Sequence, residues 1–191
     1  KELRFLTLNE HSQSAHLQVS HDKSEFLKII IKIGDYKNIL ELGTYLGYST
    51  LGMALATSGQ VLTIDKDDRF IKIAKNFWKK SKVDHKIKFR NGIAVNELET
   101  LTKQSFDMIF VDADKTNNIR YYEKCKTLLT DDGIVIFDNV LWKGKVSENT
   151  EDPKVIKIKE FNSYVKNDNY FEISLISIGD GMMLCKKKNL K

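Results

Sequence analysis

Two apolar runs most tightly constrain what this chain can fold into. FDMIFV, Phe106 to Val111, and GIVIF, Gly133 to Phe137, are almost unbroken hydrophobic stretches, the pattern of strands covered on both faces in a parallel sheet. A half-solvated strand would alternate instead. Each run delivers oxygen-bearing side chains at its C-terminal end: Asp112 in DADK after the first, Asp138 and Asn139 after the second. In an open α/β sheet that end is where ligands sit. Asp112, Asp138 and Asn139 are therefore expected to converge on one hard cation, with Lys115 one turn further along as a movable proton acceptor.

The rest of the chain continues the alternation of strand and helix, with no repeat, low-complexity segment or linker. Residues Ser20 to Ile33 read as an amphipathic helix, followed by a strand at Asn38 to Leu42, a glycine-containing turn and a helix from about Ser49 to Thr57. VLTID gives a second strand ending at Asp65, and Asp67 to Lys80 a helix with Phe70, Ile73, Ala74 and Phe77 on one face. A strand at Ile87 to Arg90 and helices near Ala94 to Thr102 and Asn118 to Leu129 complete a doubly wound α/β pattern. After a helix at Pro153 to Val165, YFEISLISIGDGMMLCKKK holds two strand-like runs joined at Gly179, Asp180 and Gly181, a hairpin signal. An antiparallel strand thus closes an otherwise parallel sheet.

Composition bounds the rest. At 191 residues with 41% hydrophobic residues, the chain can bury roughly 70% of its unfolded surface without disulfides. Length favours a single domain over residues 1–191. Cys125 and Cys185 lack ligand spacing and sit in apolar surroundings, so they read as reduced core thiols of a cytoplasmic protein. No apolar run approaches the ~18 residues of a membrane span, and no signal peptide opens the chain. No membrane partner is expected. The first residue is Lys1 rather than Met, which leaves room for sequence ahead of it. Lys and Arg total 31 against 26 Asp and Glu, a net charge of +5; this permits contact with polyanions but is mild for a dedicated nucleic-acid binder. Most of these lysines read as solvated helix faces. The four histidines, His11, His16, His21 and His85, show no zinc spacing.

The first turn, LELGTYLGYS, marks a cofactor site. Gly43 and Gly47 allow a sharp turn between strand and helix and a close approach to a ligand. Their spacing departs from the G-x-G-x-x-G dinucleotide fingerprint, so pyrophosphate binding is not indicated. Asp65 ends the second strand 18 residues after Gly47, near the ~20 expected for a carboxylate holding two ribose hydroxyls. The plainer reading makes the glycines ordinary turn residues and Asp65 the N-terminal cap of the next helix.

Four ordered motifs, LELGTYLGYST, LTIDKD, FVDADK and FDNVLWKGKV, together resemble the cation-dependent O-methyltransferases, the caffeoyl-CoA and catechol group of the S-adenosylmethionine-dependent class. The resemblance runs from about Val19 to the C-terminus. It implies a Rossmann-like, doubly wound seven-stranded sheet, mostly parallel with an antiparallel last strand, a helical segment over residues 1–35 that closes over the site, and a homodimer. By position it assigns Glu41, Gly43, Tyr45, Gly47 and Ser49 to the methionine and ribose side of the cofactor. Asp65 matches the ribose-binding acid, Ile93 and Ala94 the segment beside the adenine, and Val19 a residue that closes over the cofactor. Ser24 and Glu25 stand where the family more often has Gly and Gln. Asp112, Asp138 and Asn139 fall to the metal, Asp112 also to the cofactor side, and Lys115 to the base.

Physical chemistry supports these roles independently. Mg²⁺ prefers about six oxygens and keeps positions for water or substrate, as Mn²⁺ or Ca²⁺ in its place would, so three protein oxygens leave room for two adjacent acceptor oxygens. A vicinal diol such as a catechol suits that geometry. A phenol ionises near pH 10, and coordination lowers that value. Lys115 serves either as the general base or as a cation that positions the acceptor. Asp114 reads as orienting the loop or capping the next helix, Tyr121 and Tyr122 as packing, Trp142 as a substrate-mouth residue or hydrophobic lid, and Asp180 as a turn residue. The expected activity is methyl transfer to a hydroxylated small molecule. A second acceptor is 5-hydroxyuridine at the wobble position of transfer RNA, methylated by bacterial relatives, for which Lys79, Lys80, Lys82, Lys86 and Lys88 would need to continue onto the active-site face. A noncatalytic cofactor-binding protein is the remaining reading.

Overall fold

A computed structural model describes residues 1–188, which divide into two compact units, Lys1–Ala94 and the residues from Val95 onward. The first unit contains α1 (Glu2–Glu10), a short 3-10 turn (Ser12–Leu17), α2 (His21–Gly34), β1 (Asn38–Leu42), α3 (Tyr48–Ala56), β2 (Gln60–Asp65), α4 (Ile71–Lys80) and β3 (Ile87–Asn91). Ser20 caps α2 by accepting from Lys23 N, satisfying one of the helix's orphan amides. β1 pairs parallel with β2 from Asn38 opposite Gln60 to Leu42 opposite Ile64, and β2 with β3 from Val61 opposite Ile87 to Asp65 opposite Asn91. Leu27, Ile31, Leu40, Leu42, Met53 and Ile64 fill the core of this unit.

The fourth helix departs from its sequence pattern. It starts at Ile71 rather than Asp67, because the Asp67 carboxylate accepts from the backbone N–H and the guanidinium of Arg69 at 3.1 and 2.8 Å and holds a turn there. Its buried face is Ala74 and Trp78, one turn apart, while Phe70, Ile73 and Phe77 stay partly exposed.

The second unit runs through α5 (Ala94–Leu98), β4 (Phe106–Val111), α6 (Asn118–Leu128), β5 (Leu129–Asp138), α7 (Pro153–Asn167), β6 (Phe171–Ile176) and β7 (Met182–Lys187). The α5 helix stops short of Thr102, since Glu99 N and Thr100 N bond three residues back, to Asn96 O and Glu97 O, and tight turns of that kind end a helix. β5 begins at Leu129, four residues before the apolar run that starts at Gly133; the pairing with β4 slips between Leu129 opposite Phe106 and Ile134 opposite Met108. Tyr121, Tyr122, Phe137, Phe161 and Phe171 are buried, with the Phe137 and Phe161 rings tilted against each other at 4.7 Å between centroids, so the two tyrosines pack as read from sequence. Cys125 and Cys185 are free and buried. Burial pushes the Cys185 thiol up to about 12, a core residue rather than a nucleophile.

The seven strands are ordered β3-β2-β1-β4-β5-β7-β6. β7 runs antiparallel to both β5 and β6, as the hairpin signal at Gly179 to Gly181 requires. Among the described residues no helix is long and apolar enough to cross a membrane.

Candidate functional site

In the first unit β1 carries Glu41 into the turn that precedes α3. Gly43 (φ 100°), Tyr45 (φ 48°) and Gly47 (φ 74°) all adopt left-handed backbone there. Gly47 is required twice over: a Cβ at this position would meet the Trp78 ring at 2.8 Å and Ala74 Cβ at 2.9 Å. Packing alone thus demands this glycine. Trp78 Nε1 also donates to Gly47 O at 3.2 Å.

The two carboxylates of this region are built into the chain's own hydrogen bonds. Glu41, fully buried, accepts from Ser49 Oγ at 2.5 Å and from Thr50 Oγ1. Asp65 Oδ2 accepts from Thr44 N at 2.7 Å and Tyr45 N at 3.0 Å, and Oδ1 from Asp67 N at 2.9 Å. One carboxylate therefore organises the turn after β1 and the turn after its own strand, using three of about four acceptor sites. It does not cap α4, whose cap position is Phe70. The N-terminal segment reaches the same place. Ser14 Oγ and Tyr45 OH are 2.8 Å apart, and the Phe70 ring lies edge-on to His11 at 5.0 Å and Tyr45 at 5.4 Å. Val19 and Ala94 are buried, whereas Ile93 is 56% exposed.

In the second unit the β4–β5 register carries the argument. Val111 pairs with Phe137, so Asp112 and Asp138 each follow directly at the ends of neighbouring parallel strands. Lys115 Nζ donates to Asp112 Oδ1 at 2.9 Å, and both side chains are largely shielded, 8% and 18% exposed. Asp138 is buried and its Oδ1 accepts from Asn139 N at 2.6 Å, with Asn139 in left-handed backbone (φ 59°). Asp114 is the loop-orienting residue: its carboxylate accepts from Tyr121 OH at 2.5 Å, Asn117 Nδ2 at 2.5 Å and Thr116 Oγ1 at 3.0 Å. Burial, reinforced by Asp114, pushes the Tyr121 phenol well above its ordinary range, so it stays protonated and donates. Among the described residues no three His, Cys, Asp or Glu side chains are grouped to hold a metal; the strand ends offer two carboxylates and one amide.

Sequence reasoning missed Trp78, Thr50 and Ser14. The Ala74 to Trp78 spacing was the available signal for the first; the other two depend on contacts across the fold. Of the five lysines in the basic stretch, Lys80 pairs with Glu2 at 2.5 Å and Lys86 Nζ donates to Thr57 O at 2.8 Å, so two are engaged within their own unit.

A seven-stranded, mostly parallel sheet with one antiparallel strand is the architecture of the Rossmann-like methyltransferases. A family model described as O-methyltransferase matches residues 1–188. Tapetum-specific methyltransferase 1 of Arabidopsis thaliana is 39% identical over 98% of this chain and 85% of its own length, and a caffeoyl-CoA O-methyltransferase of Populus kitakamiensis is 38% identical over the same shares. Among solved structures, the O-methyltransferase TomG of Streptomyces achromogenes, in complex with SAM, is similar with a TM-score of 0.88 at 25% identity, covering 99% of this chain and 91% of that one. The chain belongs to the O-methyltransferase family, in agreement with the four motifs.

Proposed function

We propose that this O-methyltransferase uses S-adenosylmethionine and a divalent cation to methylate one hydroxyl of a catechol-like small molecule. The observation that carries the acceptor side is the register of Val111 with Phe137, after which Asp112 and Asp138 follow at the ends of neighbouring strands, with Lys115 bonded to Asp112. The donors fit a hard cation such as Mg²⁺: all are oxygens, and they bring two negative charges against one lysine. When bound, the cation would hold two adjacent acceptor oxygens and acidify the one to be methylated. When bound, S-adenosylmethionine would supply a sulfonium methyl to that oxygen, its sulfur leaving as a neutral thioether.

The chain's own residues do the rest. The 43–47 turn, fixed by Asp65 and Trp78, presents backbone to the methionine and ribose portions, and the exposed Ile93 offers apolar surface for the adenine. Residues 1–35 close over this cofactor side within one methyltransferase domain; the Ser14 and His11 contacts at Tyr45 and Phe70 support that role. Asp112, Asp138 and Asn139 would hold the cation, and Lys115 Nζ, once it has given up its own proton, would take the acceptor's hydroxyl proton. Holding both reactants in line supplies proximity.

The test is to incubate the protein with labelled S-adenosylmethionine and Mg²⁺, offering catechols and hydroxylated or unmodified transfer RNA in parallel. Label is expected in the catechol pool, lost in excess chelator, and reduced on the order of 10³-fold by Asp138→Ala, several kcal/mol of stabilisation. Full activity in excess chelator would remove the cation from the reading; label confined to transfer RNA would change the acceptor.

A further inference from the structure

We propose that Asp180, in the turn between β6 and β7, is a positioning residue that latches the loop after β5 in the form that places Trp142 and Asn139. The inference rests on the reading that this strand end serves the acceptor. Its starting point is an unusual run of backbone. Asn139, Trp142, Lys143 and Gly144 have φ of 59°, 46°, 56° and 79°, and three of the four carry a Cβ that makes left-handed backbone costly. Such a conformation persists only where surrounding contacts over-determine it.

Those contacts come from the hairpin some forty residues further along. Val140 N donates to Gly181 O at 3.3 Å, Leu141 N to Asp180 O at 3.0 Å, and Lys143 N to the Asp180 carboxylate. From another direction Asn162 Nδ2 of α7 donates to Val140 O at 2.8 Å. Gly181 (φ 80°) has no room for a side chain, since a Cβ would come within 2.5 Å of Leu141 Cγ. Gly144 N and Lys145 N bond back to Leu141 O and Trp142 O; these bonds set the shape of the loop but not its place. The Asp180 carboxylate reaches the apex of the left-handed run and anchors it next to Trp142, whose ring carries Lys154 Nζ at 5.1 Å. A carboxylate accepting from a backbone N–H is a strong, directional contact. Asp180 touches no reacting atom; it acts through the loop.

The test begins with intrinsic fluorescence of the full chain. The chain has two tryptophans; Trp78 is 2% exposed and gives a shielded component, so a change at the loop reads out on half-buried Trp142, with Trp142→Phe as the spectral control. Asp180→Ala and Asp180→Ser, the second keeping turn propensity, are expected to give redder emission that acrylamide quenches more readily. With Mg²⁺ and S-adenosylmethionine present, both should raise the KM for a simple catechol about tenfold, the scale of a sub-ångström misplacement, while cofactor affinity stays at the wild-type value. Asp180→Asn keeps the Oδ1 acceptor without its charge and should lie nearer wild type than Asp180→Ala in every measurement. Unchanged emission and quenching in Asp180→Ala and Asp180→Ser would overturn the latch, and a spectral change without a change in acceptor KM would overturn its positioning role. The spectrum needs neither cofactor nor acceptor, so a wild-type protein that methylates no catechol counts against the proposed function while the fluorescence still decides the latch.

Discussion

The turn after β1 and the loop after β5 both pass through left-handed backbone, yet they reach it by opposite means. Between Gly43 and Gly47 two of the three left-handed positions are glycines, and the turn is fixed by its own neighbours in the β1-α3-β2-α4 region: Asp65 on two amides and Trp78 beneath Gly47. Between Asn139 and Gly144 three of the four are residues with side chains, held by a hairpin and a helix distant in sequence. The first combines glycine's conformational freedom with contacts from elements of its own unit, Asp65 on β2 and Trp78 on α4. The second is stable only in the finished fold, a common arrangement where side chains must be aimed.

The largest effect should come from the strand ends. Lys115→Met is expected to lower single-turnover methyl transfer by a factor on the order of 10² to 10⁴ without weakening cofactor binding, because it removes the proposed proton acceptor and none of the residues assigned to the cofactor. Equal losses of transfer and of cofactor affinity would blur the division between the two regions. Lys115→Arg tests charge alone: it retains activity only if the lysine positions rather than accepts a proton.

The glycines sharpen the contrast directly. Gly47→Ala should destabilise the protein by about 2–4 kcal/mol, combining left-handed strain with overpacking against Trp78 and Ala74. Gly144→Ala meets nothing within 4 Å and should cost only about 1 kcal/mol of backbone strain. Denaturant midpoints of the two variants provide the comparison, and equal losses would refute the claim that the first turn is locked by packing.

A smaller change is expected at Asp65. Asp65→Ala removes the acceptor of Thr44 N and Tyr45 N as well as the proposed ribose contact, and calorimetry should show S-adenosylmethionine affinity about tenfold or more weaker, at roughly 1.5 kcal/mol for a hydrogen bond to a charged group. Wild-type affinity in this variant would leave Asp65 with its structural task alone.

Much of this was legible in the chain itself. The apolar runs at 106–111 and 134–137 gave two buried parallel strands, and the Gly179 to Gly181 signal gave the antiparallel hairpin. Helix limits were less legible: α4 waits until Ile71 because a side-chain turn at Asp67 outcompetes the helix, and its buried face is decided by what Ala74 and Trp78 pack against. The proposed site residues divide in the same way. Asp112, Asp138 and Lys115 could be named from the chain because strand ends put acidic groups at predictable places. That Asp65 would serve two turns at once, and Asp114 a tyrosine and two neighbouring loop side chains, could not.

What the sequence by itself determined is therefore the alternation of elements, the strand that reverses, the family, and which residues stand at the ends of strands, since each follows from local periodicity, turn chemistry or a contiguous motif. Only the tertiary structure decided the β4–β5 register that pairs Val111 with Phe137 just ahead of Asp112 and Asp138, the packing that forbids a side chain at Gly47, and the hold of Asp180 on a loop some forty residues earlier. Those outcomes depend on contacts between segments far apart in the chain, where geometry is fixed by close packing and hydrogen-bond satisfaction rather than by the residues on either side.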